Sequence, residues 1–209
     1  SKDITINIAG DDNKENDEEF TVNLTASLSD SNTDVYDNQS VTSTIVNDDD
    51  IVSITSLDTV KAEGSDNNTG FTFTVSRDGS LVGTSTVAWR VVNEDTDNSD
   101  FVQTSGILTF DNGVDSQTLT VYSAKDRDVE TDENFKIELY NPGSGSSIDT
   151  VNYIADATIN NDDVDLSLSA SSVSIKEGDN DGAGSATFTI TKSGDNSVET
   201  TVSWEVVAG

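Results

Sequence analysis

The sequence predicts an all-β chain of tandem antiparallel sandwiches, one complete unit flanked by two partial units. Three observations predict it. Apolar residues alternate with polar ones, clusters of turn residues separate the runs, and whole motifs recur after about 114 positions. A period of two puts one set of side chains on a buried face and the other in water. Phe71, Phe73 and Val75 alternate with Thr72 and Thr74, and Ile4, Ile6 and Ile8 alternate with Thr5 and Asn7. Phe135, Ile137 and Leu139 form a further run, as do Leu166 and Leu168, then Val173 and Ile175. Val, Ile and Thr dominate, as strands prefer. Between the runs lie Asp, Asn, Gly and Ser, which make turns. No segment sustains a helical period.

The repeat sets the organisation. Residues 11–20 (DDNKENDEEF) recur as residues 126–135 (DRDVETDENF), and 44–49 (TIVNDD) as 158–163 (TINNDD). Residues 61–64 (KAEG) match 175–178 (IKEG), and 87–92 (VAWRVV) match 202–207 (VSWEVV). The expected division is a C-terminal part of one unit over 1–49, a complete unit over 50–163 and an N-terminal part of another over 164–209. A unit of this length suits one immunoglobulin-like sandwich, typically of about 100 residues. Trp89 and Trp204 fall at equivalent positions and are expected in the sandwich core rather than on a ligand platform.

Composition narrows the chemistry. The 209 residues carry 40 Asp and Glu against 10 Lys and Arg, a net charge of −30, with no His, Cys or Met. That removes His-based triads, thiol nucleophiles, typical zinc sites and disulfides. The charge opposes binding to nucleic acid or an anionic membrane. No apolar run reaches the roughly 18 residues of a membrane span, and no signal peptide is visible. Low hydrophobicity with high charge is also a mark of disorder, but here the apolar residues are patterned and the acids are bunched.

The bunches carry the functional signal. In the complete unit they are Glu63, then Asp95, Asp97 and Asp100, then Asp126, Asp128, Glu130, Asp132 and Glu133, and finally Asp162, Asp163 and Asp165. Loops at one end of a sandwich converge in space. Carboxylates meeting there would repel one another, and a hard cation resolves the conflict. Calcium takes six to eight oxygens in flexible geometry, whereas magnesium demands a tight octahedron and keeps its waters. A solvated acidic surface, as in proteins adapted to high salt, is the alternative. It would spread acids over the strand faces, whereas these occupy loops and recur in both copies.

These features together resemble the Calx-beta repeat, known from the regulatory region of sodium–calcium exchangers and from microbial surface proteins. The residues that carry the resemblance are Glu63–Gly64, Ser99–Asp100–Phe101, residues 105–110 (SGILTF), 126–135 and 159–163 (INNDD). The resemblance implies a β-sandwich that binds calcium at one end. It implies ligands among Glu63, Asp100, Asp126, Glu130, Glu133, Asp162 and Asp163; Asp128, in the same cluster, joins the candidate set. In the first partial unit the candidates are Asp11, Glu15, Glu18, Asp48 and Asp49, with Asp50 extending the run, and in the third the match is Glu177. One departure is Arg127, where the family often has a second acid and the first partial unit keeps Asp12. An Arg among the carboxylates can replace a cation by ion pairing, so fewer ions are expected there.

Other signals weigh less. Residues 177–182 (EGDNDG) hint at an EF-hand loop, but Phe188 stands where its closing Glu belongs, and a turn between strands is expected. Asn23, Asn38 and Asn67 head glycosylation sequons. Paired carboxylates suggest glycosidase chemistry, but two Trp expected in cores leave no sugar-stacking cleft, so no enzyme is expected. The expected function is a calcium-braced structural repeat of an extracellular or cell-surface microbial protein. Its partners are neighbouring repeats. The alternatives are a calcium sensor and an acidic surface-layer or halophilic protein without specific ions. The partial units fit either a piece of a longer array or head-to-tail complementation into filaments.

Overall fold

The computed structural model describes residues 1–25, 39–170, 174, 184–197 and 199–207. The strands are β1 (Glu18–Leu24), β2 (Gln39–Ile45), β3 (Asp50–Asp58), β4 (Val60–Ala62), β5 (Gly70–Gly79), β6 (Ser85–Asn93) and β7 (Ser105–Phe110). They continue as β8 (Ser116–Tyr122), β9 (Glu133–Tyr140), β10 (Ser146–Ile148), β11 (Ile154–Asn160), β12 (Val164–Ala170) and β13 (Phe188–Gly194). A single 3-10 turn, Asn98–Asp100, is the one helical element among the described residues.

The sandwich lies between residues 50 and 163. One sheet has the order β10-β3-β5-β8 and the other β4-β11-β9-β6-β7. The long ladders are antiparallel. Two short edge pairings are parallel, β10 with β3 and β4 with β11. They arise because the first strand of the unit changes sheets: its register slips between Ser56 and Asp58, and the chain continues as β4 on the opposite layer. Such a bulge bends a strand and lets it close both edges.

Alternation predicts this interior well. Phe71, Phe73, Val75, Phe135, Ile137 and Leu139 are all buried, at 2% exposure or less. Phe135 lies at the centre of an aromatic cluster. Phe71, Phe73 and Phe101 meet it edge-on at centroid distances of 5.4, 6.5 and 4.8 Å. Full burial of each such side chain contributes roughly 1.5–3 kcal/mol. Trp89 is buried at 5% exposure and lies against Gly106, where an added Cβ would come 2.7 Å from the indole nitrogen.

Outside the sandwich, β1 pairs with β2 and β12 with β13, each as a two-stranded antiparallel ladder. Here two expectations fail. The Ile4, Ile6 and Ile8 run forms no strand, and the three residues are 72%, 47% and 51% exposed. Trp204, expected in a core, is 80% exposed. The cause is the same. In the complete sandwich their counterparts, β8 and β6, are held by β5 and β9, and among the described residues no strand pairs with them here. Val173, Ile175, Glu177, the 177–182 turn and Asn38 lie outside the described residues.

The joints between units are direct. Ser80 N donates to the Asp49 carbonyl at 2.9 Å, and one period later Asp195 N donates to the Asp163 carbonyl at 2.9 Å. Each joint uses a glycine with positive φ, Gly79 (115°) and Gly194 (88°). A Cβ on Gly79 would lie 2.6 Å from the Asp49 carbonyl oxygen, and one on Gly194 would collide with that of Asp163. Only glycine fits, by both φ and space.

Candidate metal centre

The site forms where four loops meet at one end of the sandwich. The first follows β4 and carries Glu63. Its backbone is pinned from two sides: Ser123 Oγ donates to the Glu63 carbonyl at 2.8 Å, and Gly64 N donates to Asp162 Oδ1 at 3.1 Å. The second is the 3-10 turn, capped by Asp97. Ser99 N donates to Asp97 Oδ1 at 2.6 Å and Asp97 N donates to Asp100 Oδ2 at 2.6 Å, a reciprocal capping box. The Asp100 carbonyl then accepts from Ala124 N at 2.7 Å, joining this turn to the loop after β8.

That third loop, 124–132, carries four acids, Asp126, Asp128, Glu130 and Asp132. Asp126 Oδ1 accepts from Asp128 N at 2.9 Å. Asn161, in the fourth loop, holds it in place. Its Oδ1 accepts from Glu130 N at 3.0 Å, its backbone N donates to Asp132 Oδ1 at 3.0 Å, and its Nδ2 donates to the Asp163 carbonyl at 3.1 Å. The first partial unit repeats all of this. Asn13 N donates to Asp11 Oδ1, Glu15 N to Asn47 Oδ1, Asn47 N to Asp17 Oδ1, and Asn47 Nδ2 to the Asp49 carbonyl, each at 2.8–2.9 Å. The loop conformation therefore follows from local sequence, since it forms with and without a complete sandwich beneath it.

At the centre, Glu63, Asp126 and Asp163 each bring a carboxylate oxygen within 4.8 Å of the others. Glu63 and Asp163 are 3% and 7% exposed. Ser65 Oγ donates to Asp163 Oδ1 at 2.9 Å, while the buried Asp163 Oδ2 has no hydrogen-bond partner. A buried, unpartnered carboxylate oxygen is costly. Its place among two further carboxylates, with only oxygen donors at hand, fits a hard divalent cation.

The electrostatics agree. Burial, then the charges of Asp126 and Glu130, push Glu63 up to about 8. Burial, then the charges of Asp100 and Glu130, push Glu133 up to about 7. Glu130 is raised by burial and by Asp126, Asp100, Asp128 and Asp97. Without a cation, burial and mutual repulsion disfavour the charged forms of these three carboxyls.

The expected ligands divide accordingly. Glu63, Asp126 and Asp163 form the core; Asp100 and Asp128 lie near enough for their charges to raise Glu130, and Asp100 also raises Glu133. Asp162 is occupied in capping Gly64. In the first partial unit, Asp49 is buried and raised, by desolvation and by Asp48, Asp11, Asp12 and Asp50. Glu15 and Glu18 are exposed there. Asp50 is a correction: it pairs with the buried Arg77 (Nε to Oδ2, 2.7 Å), which also donates to the Ser80 carbonyl at 2.8 Å. It is a counterion inside the sandwich, at the end opposite Glu63. Arg127 departs from expectation too. It pairs with Asp66 Oδ1 at 2.6 Å, outside the three-carboxylate core, and holds Asp66 below the usual carboxylate range. Sequence reading missed Asn47, Asn161 and Ser65 as organisers. The recurrence of Asn before each closing Asp pair was the available signal.

An all-β sandwich whose loops gather carboxylates at one end defines a class of cation-binding repeat. The sequence model of the Calx-beta domain matches residues 1–50 and 48–163, and the chain belongs to that family. It is 30% identical over 155 residues to adhesion G-protein coupled receptor V1 of Danio rerio, covering 70% of this chain and 2% of that protein. Among solved structures, the apo-form Calx CBD1 domain is 27% identical, with a TM-score of 0.46, covering 55% of this chain and 98% of that one. The CBD12 structure from CALX1.2 is 25% identical, with a TM-score of 0.45, covering 56% and 48%. Calx-beta domains bind calcium, and the carboxylate cluster supplies suitable donors.

Proposed function

We propose that this chain is a calcium-binding structural repeat module of an extracellular or cell-surface microbial protein, and that calcium stiffens its joints. The observation that carries the reading is Asp163. Its side chain belongs to the carboxylate core, while its carbonyl accepts the Asp195 amide of the following unit. A cation that fixes the side chain also fixes the residue that grips the next unit. Without the cation, neighbouring carboxylates repel across the joint. Millimolar external calcium suits the weak affinities of extracellular modules.

The test is thermal unfolding at constant ionic strength with calcium, magnesium or chelator. At calcium 100 times its dissociation constant, one ion contributes about 2.7 kcal/mol, a rise in midpoint on the order of 10 °C for a unit of this size. Magnesium should give much less. Equal shifts with both ions, or none, would sink the reading. Titrating the shift separates a millimolar brace from a micromolar sensor.

A further inference from the structure

The outer face of the five-stranded sheet holds a groove that the metal site does not use. Its shape follows from register. Tyr140 of β9, Ala88 of β6 and Ile107 of β7 are cross-strand neighbours in one row. Such neighbours point to the same face, so a small side chain lies between two large ones. With strands about 4.8 Å apart, the two walls stand about 10 Å from each other over the Ala88 floor. The groove has a volume of about 370 Å³, within the roughly 300–1,000 Å³ of small-ligand clefts. Ile107 is 72% exposed, so one wall stands in water.

The opposite wall is braced. The Arg90 guanidinium lies 5.1 Å from the centre of the Tyr140 ring, and its Nε donates to Glu138 Oε2 at 2.6 Å. The ring is thereby held from within its own sheet. Beside it, Asn141 has a φ of 47°, the one positive value at a non-glycine among the described residues. Asn tolerates this left-handed geometry better than most residues. Two residues on, Gly143 N donates to the Thr86 carbonyl at 2.7 Å and ties the loop to β6. Asn141, Thr86 and Ser105 edge the groove with an amide and two hydroxyls.

These features select the occupant by its chemistry. A net charge of −30 opposes an anionic ligand. No residue lining the groove is charged, so nothing there pairs with a cationic one. A peptide strand finds no edge, because β6 is paired with β7 on one side and β9 on the other. What remains is a neutral molecule with an apolar face and groups that both donate and accept hydrogen bonds. The side chains of Asn141, Thr86 and Ser105 also donate and accept, and the aromatic ring of Tyr140 suits the apolar face. A sugar ring is such a molecule: its C–H bonds form the apolar face and its hydroxyls surround it.

We propose that the groove binds one ring of a neutral sugar, with its C–H face on Tyr140 and its hydroxyls toward Asn141, Thr86 and Ser105. Trp89 is buried and gives no platform, so the stacking ring is a tyrosine. The groove is open along the Ile107 wall and covers only part of a ligand. Its affinity should therefore be weak, on the order of millimolar. The site uses no carboxylate and does not depend on the calcium reading.

The test is an amide chemical-shift titration of the whole chain with the methyl glycosides of glucose, galactose and mannose, and with glucuronate as the charged control. The expected result is saturable shifts at Ala88, Ile107, Tyr140 and Asn141 with at least one neutral glycoside, the same in calcium and in chelator, and none with glucuronate. Tyr140→Ala should weaken binding by about tenfold, through loss of the stacking ring. Asn141→Gly accepts the positive φ and removes only the amide, and should weaken binding by about fivefold. Ala88→Leu fills the floor while removing no group, and should abolish binding. The last two variants should keep the melting midpoint and its calcium response, which reports the metal reading separately. Absence of saturable shifts with every neutral glycoside would overturn the proposal, as would binding that survives Ala88→Leu, that needs calcium or that is equal for glucuronate. Shifts at the same residues on raising the protein concentration alone would overturn it by giving the groove to a second copy of the chain.

Discussion

Two residues show how one environment stabilises and another waits for a ligand. Phe135 is fully buried with three aromatic rings edge-on to it. Phe135→Ala removes contacts to both sheets and should cost about 3–5 kcal/mol, read by chemical denaturation. Glu63 is as deeply buried, yet its charge is unwelcome without a cation. Glu63→Gln keeps the shape and removes the charge. It should leave the metal-free protein as stable as before or more so, and abolish the calcium-dependent rise in midpoint. A substantial calcium response in that variant would place the ion elsewhere.

At the scale of elements, the acidic loop is held by a neutral side chain. Asn161 accepts from Glu130 N and donates to the Asp163 carbonyl, so it sets the spacing of the third and fourth loops. Such supporting contacts typically contribute 10–100-fold in metal affinity. Asn161→Ala should weaken calcium binding by about that factor in a calorimetric titration while β9 and β11 keep their ladder. The joints are the other device. At Gly79 an alanine would meet the Asp49 carbonyl and demand an unfavourable φ. Gly79→Ala should loosen the first joint and raise the radius of gyration in small-angle scattering. An unchanged scattering profile would show that the joint does not need this glycine.

For the whole molecule, pH and calcium act on the same groups. Glu63 and Glu133 are raised to about 8 and about 7. Between the ordinary carboxylate range and those values, the folded state holds more protons than the unfolded state. Stability of the metal-free protein should then fall as pH rises from about 5 to 8. Calcium binding expels those protons, so its affinity should climb over the same interval. Midpoints measured in chelator and in calcium should diverge as pH increases. Parallel curves would mean that the carboxylates do not couple to the ion. The Asn clasp and the glycine joint recur at both ends of the sandwich.

The sequence by itself determined the strands of the complete sandwich, the repeat and the bunching of acids into loops. Each is local: alternation needs only a buried face, and the loop at 11–20 takes the same hydrogen bonds as that at 126–135 because its residues are the same in kind. The tertiary structure alone decided which carboxylates meet. Glu63, Asp126 and Asp163 come from loops far apart in the chain, and the ladder registers bring them together. It also separated Asp50 from Asp49. Adjacent residues at the start of a strand point to opposite sides, and Asp50 faces Arg77 inside the sandwich. Likewise, Trp89 and Trp204 occupy the same motif but differ in burial. A side chain is buried by the strands opposite it, and those lie beyond the reach of any local pattern.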